Sequence, residues 1–280
     1  MQSLLLALFG STDSSSIQCK QPTNRLWMFG VHHKCGTIIA RHLAFVMSMI
    51  LDFPTCANGR MAFLGDCGYQ NTAPCHFHPS TGYGLIREQR VWVACHVVHR
   101  HYELVHQMES DWRGVHIIRD PMDVILSGYV YHMHSGDMHG QTNAIRNMNI
   151  TRGVAQEAIF ALGDTFNEML DVTRWRKQQG ANGSQLLVVR LEEMTGSAEN
   201  YSRTVAKMYK HMVGDVICAK RVHAMGSAAE QYDPKKGFKP EDAIHISAAT
   251  ALSAARKAYS QIPQNLRERV DKVRRELGYL

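Results

Sequence analysis

The residues best suited to chemistry are cations at junctions between apolar runs and helical stretches. Lys34, Cys35, Gly36 and Thr37 follow the apolar run Leu26–Val31 and precede an apolar helical stretch from Ile38 to about Leu51. A strand entering a helix through such a turn aims backbone N–H groups and the positive end of the helix dipole at one point. Such a point is an anion site, and phosphate is its usual occupant. Gly36 admits close backbone approach, Lys34 adds a full charge, and Thr37 can donate a hydroxyl hydrogen bond. The stretch is not a Walker A loop, in which lysine directly follows the last glycine and Ser or Thr comes next. Here Lys34 precedes Gly36.

A second junction lies at Arg119-Asp120-Pro121, where a strand from Gly114 to Arg119 is expected to give way to a helix. Asp120 suits an N-cap and Pro121 the first helical position. Arg119 then ends the strand and Ser127 lies two turns into the helix, so both can address one anion over the helix start. Arg90 to Cys95 is β-branched and aromatic and reads as a buried strand, with His96 at its carboxyl end. Functional groups of open parallel sheets gather outside those carboxyl ends.

The elements that must position these residues follow from periodicity. Thr151 to Gln179 has the apolar spacing of one amphipathic helix. Gln185 to Arg190 reads as another buried strand, and Leu191-Glu192-Glu193-Met194 leads into a helix from Ala198 to about His211. His101 to Ser110 reads as a short helix, 215–240 shows no clear period, and helices over about 241–260 and 263–277 close the chain. Strands alternating with helices predict βαβ units, hence an α/β fold with three layers (α/β/α) and a central, mostly parallel sheet. Residues 1–24 read as a flexible lead-in and 25–280 as a single domain; 52–84 and 134–150 read as long loops.

Composition narrows the function. A chain of 280 residues with 45% hydrophobic and 20% charged residues is ordinary for a globular protein. The net charge of +6 suits a small anion, and no Lys/Arg block is dense enough for nucleic acid. The 16 histidines include no metal-binding spacing such as H-E-x-x-H, so no metal is expected. Of the 7 cysteines, Cys35 and Cys95 are expected as free thiols, while Cys56, Cys67 and Cys75 share one loop that can hold a disulfide in an oxidising compartment. Leu4 to Phe9 is too short to span a membrane and lacks a basic flank, which makes cytoplasm the simpler expectation. Sequons at Asn149, Asn182 and Asn200 keep the secretory-pathway lumen as the alternative.

Taken together, these residues resemble the sulfotransferases that use 3′-phosphoadenosine 5′-phosphosulfate (PAPS) and release 3′-phosphoadenosine 5′-phosphate (PAP). His33-Lys34-Cys35-Gly36-Thr37 is similar to the family's P-K-x-G-T loop for the 5′-phosphosulfate. Arg119 to Tyr129 matches its 3′-phosphate motif R-[ND]-P-x-D-x-x-x-S-x-Y throughout. His96 resembles the catalytic histidine that ends a strand in cytosolic members, and Lys235-Lys236-Gly237 resembles the late R-K-G over the 3′-phosphate. The resemblance implies the P-loop-NTPase-like sulfotransferase fold. It implies PAPS as co-substrate without a metal, held by Lys34, Cys35, Gly36, Thr37, Ile38, Arg119, Ser127, Lys235, Lys236 and Gly237. His96 would be the base and Lys34 the group at the leaving oxygen, with a small-molecule or glycan acceptor shaped by the two long loops. His32, His33, His132 and Glu88 are second choices for the base.

The chain departs from the family at several positions. Ala94 replaces a frequent lysine, Ile38 and Ile39 replace the loop's second threonine and the adenine-stacking tryptophan, and G-D-W does not follow Gly237. The dimer motif K-x-x-x-T-V-x-x-x-E is absent, leaving oligomeric state open. A P-loop nucleotide or small-molecule kinase and a catalytically inactive PAP-binding homologue are the competing readings.

Overall fold

Alternation of side chains along short apolar strands places two helical layers against one sheet. The computed structural model describes residues 25–52, 62–64, 76–77, 90–95, 98–108, 111–134, 144–236 and 249–280. The strands are β1 (Leu26–Val31), β2 (Ala62–Leu64), β3 (His76–Phe77), β4 (Val91–Cys95), β5 (Trp112–Ile118) and β6 (Leu186–Arg190). They form one sheet in the order β3-β2-β4-β1-β5-β6, and every described pairing is parallel. The fold is therefore α/β with a parallel central sheet between helical layers, as expected.

The helices are α1 (Thr37–Leu51), α2 (Val98–Met108), α3 (Pro121–His134), α4 (Ile150–Gly163), α5 (Thr165–Gln178), α6 (Leu191–Thr195), α7 (Ala198–Val213), α8 (Ala219–Ala229), α9 (Ala249–Tyr259) and α10 (Gln264–Glu276). Trp27, Phe29 and Val31 of β1, with Val93 and Val115, bury against Leu43 of α1, Met208 of α7 and Met225 of α8. Leu26 and Met28 face the opposite way and pack with Tyr102, Trp112 and Trp175. Successive strand side chains point to opposite faces, so β1 supplies both cores, as a central strand of a parallel sheet must. A further apolar cluster joins α3, α4, α5, α9 and α10.

Three expectations change. The single helix over 151–179 is two helices, because Asp164 leaves helical geometry at φ −129°, ψ −86° and caps both. Gly163 and Asp164 are poor helix-interior residues, while the flanking apolar spacing hides the break. The region after 215 holds α8, whose buried residues are only Met225 and Ala229, too few to give a periodic signal. The first long loop contributes β2 and β3 at the sheet edge.

Candidate anion-binding site

Adjacency of β1 and β5 brings the two cationic junctions together. The pairing Gly30↔His116 keeps the strands in register up to their carboxyl ends, so the turn after β1 and Arg119 after β5 emerge side by side. In the turn, Lys34 (φ 59°) and Gly36 (φ 95°) both adopt left-handed backbone conformations. At Gly36 only glycine avoids strain, and an added Cβ would also lie 2.9 Å from Leu191 Cδ1. The turn closes through Cys35 N–H donating to the His32 carbonyl at 3.0 Å. Gly36 caps α1 without a side-chain hydrogen bond, and the first turn of this 15-residue helix has no acidic residue. Its leading N–H groups and the positive end of its dipole therefore face the turn uncompensated.

Arg119 donates from Nη1 to the Lys34 carbonyl at 3.0 Å, which ties the two junctions together. The Lys34 ammonium lies 4.1 Å from the centre of the Tyr131 ring. Burial, together with the neighbouring Arg119 charge, pushes Lys34 down to about 8 against opposing pulls from Glu157 and Cys35. Cys35 is fully buried, and burial pushes its thiol up to about 12. It is a packing residue of the turn rather than a nucleophile.

The start of α3 is pinned from behind. Arg274 grips Asp120 through two bonds of 2.9 Å, and Asp120 accepts from Met122 N–H at 2.9 Å. Glu192 accepts from the Asp120 N–H at 2.9 Å and from the Tyr279 hydroxyl at 3.2 Å. Asp120 thus caps the helix and is itself neutralised by Arg274, so it is not turned to Lys34 or Arg119. Ser127 lies on the second turn of α3 and is buried.

Below the turn runs a buried polar chain. Glu168 meets His32 Nδ1 at 3.2 Å, and His32 Nε2 meets His116 Nε2 at 2.7 Å. Burial and the facing His32 hold His116 well below the usual histidine range, so it is neutral. Beside Lys34, the His33 and His132 rings stack 5.0 Å apart at 6°, and His132 Nδ1 meets Glu157 Oε2 at 2.7 Å. One ligand atom each from His33, His132 and Glu157 lie within 4.8 Å of one another.

The sequence-derived residues are thus brought together in part. Lys34, Cys35, Gly36, Thr37, Ile38 and Arg119 form one constellation, with Ser127 on the adjoining helix. Lys235 and Lys236 sit on an exposed turn whose neighbour Tyr232 stacks on His42 of α1 at 4.1 Å. Lys236 pairs with Glu230 at 3.9 Å, and no described contact joins that turn to Lys34 or Arg119. His96, Glu88 and Gly237 lie outside the described residues. Cys95 departs from the free-thiol expectation: it and Cys218 are disulfide-bonded.

Glu157 and Glu168 were not singled out by sequence, although both leave a trace. Each is a carboxylate on an apolar helical face, Glu157 among Val154, Ala158 and Ala161, and Glu168 among Thr165, Met169 and Val172. A buried carboxylate survives only with a polar partner, and here that partner is a histidine.

No family model matches the chain, and no curated protein matches it in sequence. Among solved structures, mouse sulfotransferase SULT7A1 complexed with PAP is similar with a TM-score of 0.50 and 13% identity, over 92% of this chain and 86% of that one. At that identity the likeness establishes the fold, and the fold is that of a sulfotransferase. No described helix is long and apolar enough to cross a membrane.

Proposed function

We propose that this protein is a sulfotransferase that carries a sulfuryl group from PAPS to a hydroxyl or amine of a small-molecule or glycan acceptor. The observation that supports it best is the pairing of Lys34 with Arg119, two cations held together by the Arg119–Lys34 carbonyl bond, with no ion pair to a carboxylate for either among the described residues. Like charges in a desolvated setting repel, and a bound dianion relieves that repulsion. The site fits a phosphate ester flanked by the uncapped start of α1, and a PAP complex is what the mouse structural neighbour holds.

When bound, PAPS supplies an activated sulfuryl group on a phosphate leaving group. Gly36, Thr37 and the Ile38 N–H would cradle the 5′-phosphate, with Cys35 fixing the turn that presents them. Lys34 would neutralise charge arising on the bridging oxygen, a contribution of the order of 3–4 kcal/mol for a preorganised donor. Arg119 and Ser127 would hold the 3′-phosphate, with Lys235, Lys236 and Gly237 a further cover on the nucleotide. Positioning and charge stabilisation dominate such transfers, as in phosphoryl transfer. The family resemblance gives the acceptor's proton to His96.

A kinase would hold a triphosphate with magnesium, and the order Lys34-x-Gly36-Thr37 does not supply the Lys-Ser/Thr pair that does so. An inactive PAP-binding homologue is favoured only by Ala94. The cysteines bear on compartment. Stable disulfides at Cys95 and Cys218 are rare in reducing compartments, which favours the secretory-pathway lumen over the cytoplasm.

Thermal-shift titration with PAP, ADP, and ATP with and without magnesium tests the reading. At about 100 Kd a ligand adds roughly 2.7 kcal/mol of stability. The expected outcome is a PAP shift that ADP does not reproduce and that Arg119→Ala abolishes. A magnesium-dependent ATP shift with none from PAP would promote the kinase.

A further inference from the structure

We infer that His132, oriented by the buried carboxylate of Glu157, is the base that takes the acceptor's proton; the inference rests on the sulfuryl-transfer reading above. Glu157 is 3% exposed and packs against the backbone of α3 so closely that a Cβ on Gly128 would fall on its carboxylate. The side chain therefore has one place to be, and its Oε2 meets His132 Nδ1 at 2.7 Å. The ring itself is 19% exposed. With Nδ1 committed to the carboxylate, the tautomer is fixed and Nε2 is left to receive a proton, the relation of carboxylate to imidazole found in hydrolytic triads. Arg146 Nε donates to the His132 backbone carbonyl at 3.2 Å, which fixes the helix end that carries the ring.

The pair is also in the right place. Tyr131, the residue before His132, lies under the Lys34 ammonium, and Glu157 acts electrostatically on Lys34. The base and the group that would face the leaving oxygen thus stand on one side of α3, at the carboxyl ends of β1 and β5. His33, His132 and Glu157 together resemble a metal triad in composition, but the geometry disfavours a chelate. The His132 nitrogen nearest Glu157 is already engaged by its carboxylate at 2.7 Å, closer than two ligands of one metal ion usually stand.

In the step so assigned, the acceptor oxygen forms the new O–S bond while its proton passes to His132 Nε2. The S–O bond to the phosphate breaks, and its electron pair stays on the PAP phosphate beside Lys34. Glu157 is a positioning residue; it steadies the imidazolium without touching the acceptor.

Diethyl pyrocarbonate footprinting with peptide mass mapping tests this without an acceptor. His132 should be modified, and PAP at a concentration whose binding is verified by thermal shift should slow its modification at least about tenfold. Proton NMR should show a low-field ring N–H signal that Glu157→Gln shifts upfield or removes and Glu157→Asp retains. With water as acceptor, PAPS hydrolysis should fall at least about 100-fold in His132→Gly and recover in part with added imidazole, which a merely structural histidine would not allow. Bound PAP without protection of His132 would overturn the proposal. So would imidazole rescue of His96→Gly with none of His132→Gly, or tight zinc binding lost equally in His33→Ala and Glu157→Gln. If PAP fails to bind at all, the thermal shift shows that the sulfotransferase reading has failed first.

Discussion

If Lys34 holds the nucleotide's phosphate as proposed, PAP binding should be pH-dependent in a range where few other groups titrate. Burial of Lys34 and the Arg119 charge lower it to about 8 in the free protein. Roughly nine-tenths of the molecules therefore carry the Lys34 charge at pH 7 and roughly one-tenth at pH 9. A phosphate bound against the ammonium favours its charged form, so binding at pH 9 must first restore the proton. PAP affinity should then fall about tenfold from pH 7 to 9, or about 1.4 kcal/mol. The direction follows from the sign: a depressed lysine loses its charge as pH rises, and an anion site weakens with it. The facing groups do not mimic this. Cys35 at about 12 stays neutral, and a phosphate monoester with its second pKa at about 6 is already a dianion at pH 7. Among the described residues, Glu157, His33, His132 and Tyr131 also lie around it. Isothermal titration at several pH values, in two buffers of different ionisation enthalpy, measures both affinity and proton uptake. Uptake should approach one proton per PAP at pH 9, and Lys34→Arg should abolish both effects, since arginine keeps its charge. A flat wild-type profile, or an equally steep one in Lys34→Arg, would refute the argument.

Other expectations follow from backbone geometry and from the thiols. Gly36→Ala places a Cβ at φ 95°, 2.9 Å from Leu191 Cδ1. The left-handed backbone should cost about 1–2 kcal/mol, read as a lower urea midpoint, and relieving the contact with Leu191→Ala should not restore it. Alkylation of the denatured, unreduced protein should label Cys35 and spare Cys95 and Cys218, which should label only after reduction. Labelling of all three without reduction would remove the argument for an oxidising compartment.

How much of this was legible in the sequence depends on how local the cause is. The strand–turn–helix at 26–51 was readable because its apolar run, turn residues and helical period are contiguous. The α3 start was readable because Asp120 and Pro121 carry a positional preference. The break at Asp164 was not, since Val154, Ala158 and Leu162 before it and Phe166, Met169 and Leu170 after it keep a helical spacing and only one residue leaves the helix. The His132–Glu157 contact joins residues 25 apart on different helices, a tertiary fact to which the one local clue is a carboxylate on an apolar face. Lys235 and Lys236 were legible only through the resemblance of Lys235-Lys236-Gly237 to the late R-K-G motif, because nearness to a distant site depends on packing that no local pattern encodes.

The site is assembled by topology more than by either motif. Lys34 and Arg119 are 85 positions apart, and each alone is a cation at the end of a strand. Parallel pairing of β1 with β5 requires both strands to end on the same edge of the sheet. Short turns then deliver one cation and one helix start from each to the same few ångströms. The electrostatic cost of that convergence is borne by the surroundings. Arg274 and Glu192 hold the α3 start from behind, so the carboxylate nearest Arg119 in sequence is occupied by another arginine. Glu157 is turned to His132 and does not pair directly with Lys34. Among the described residues Asp120, Glu192 and Glu157 are thereby engaged elsewhere, which would leave the two cations available to an external anion.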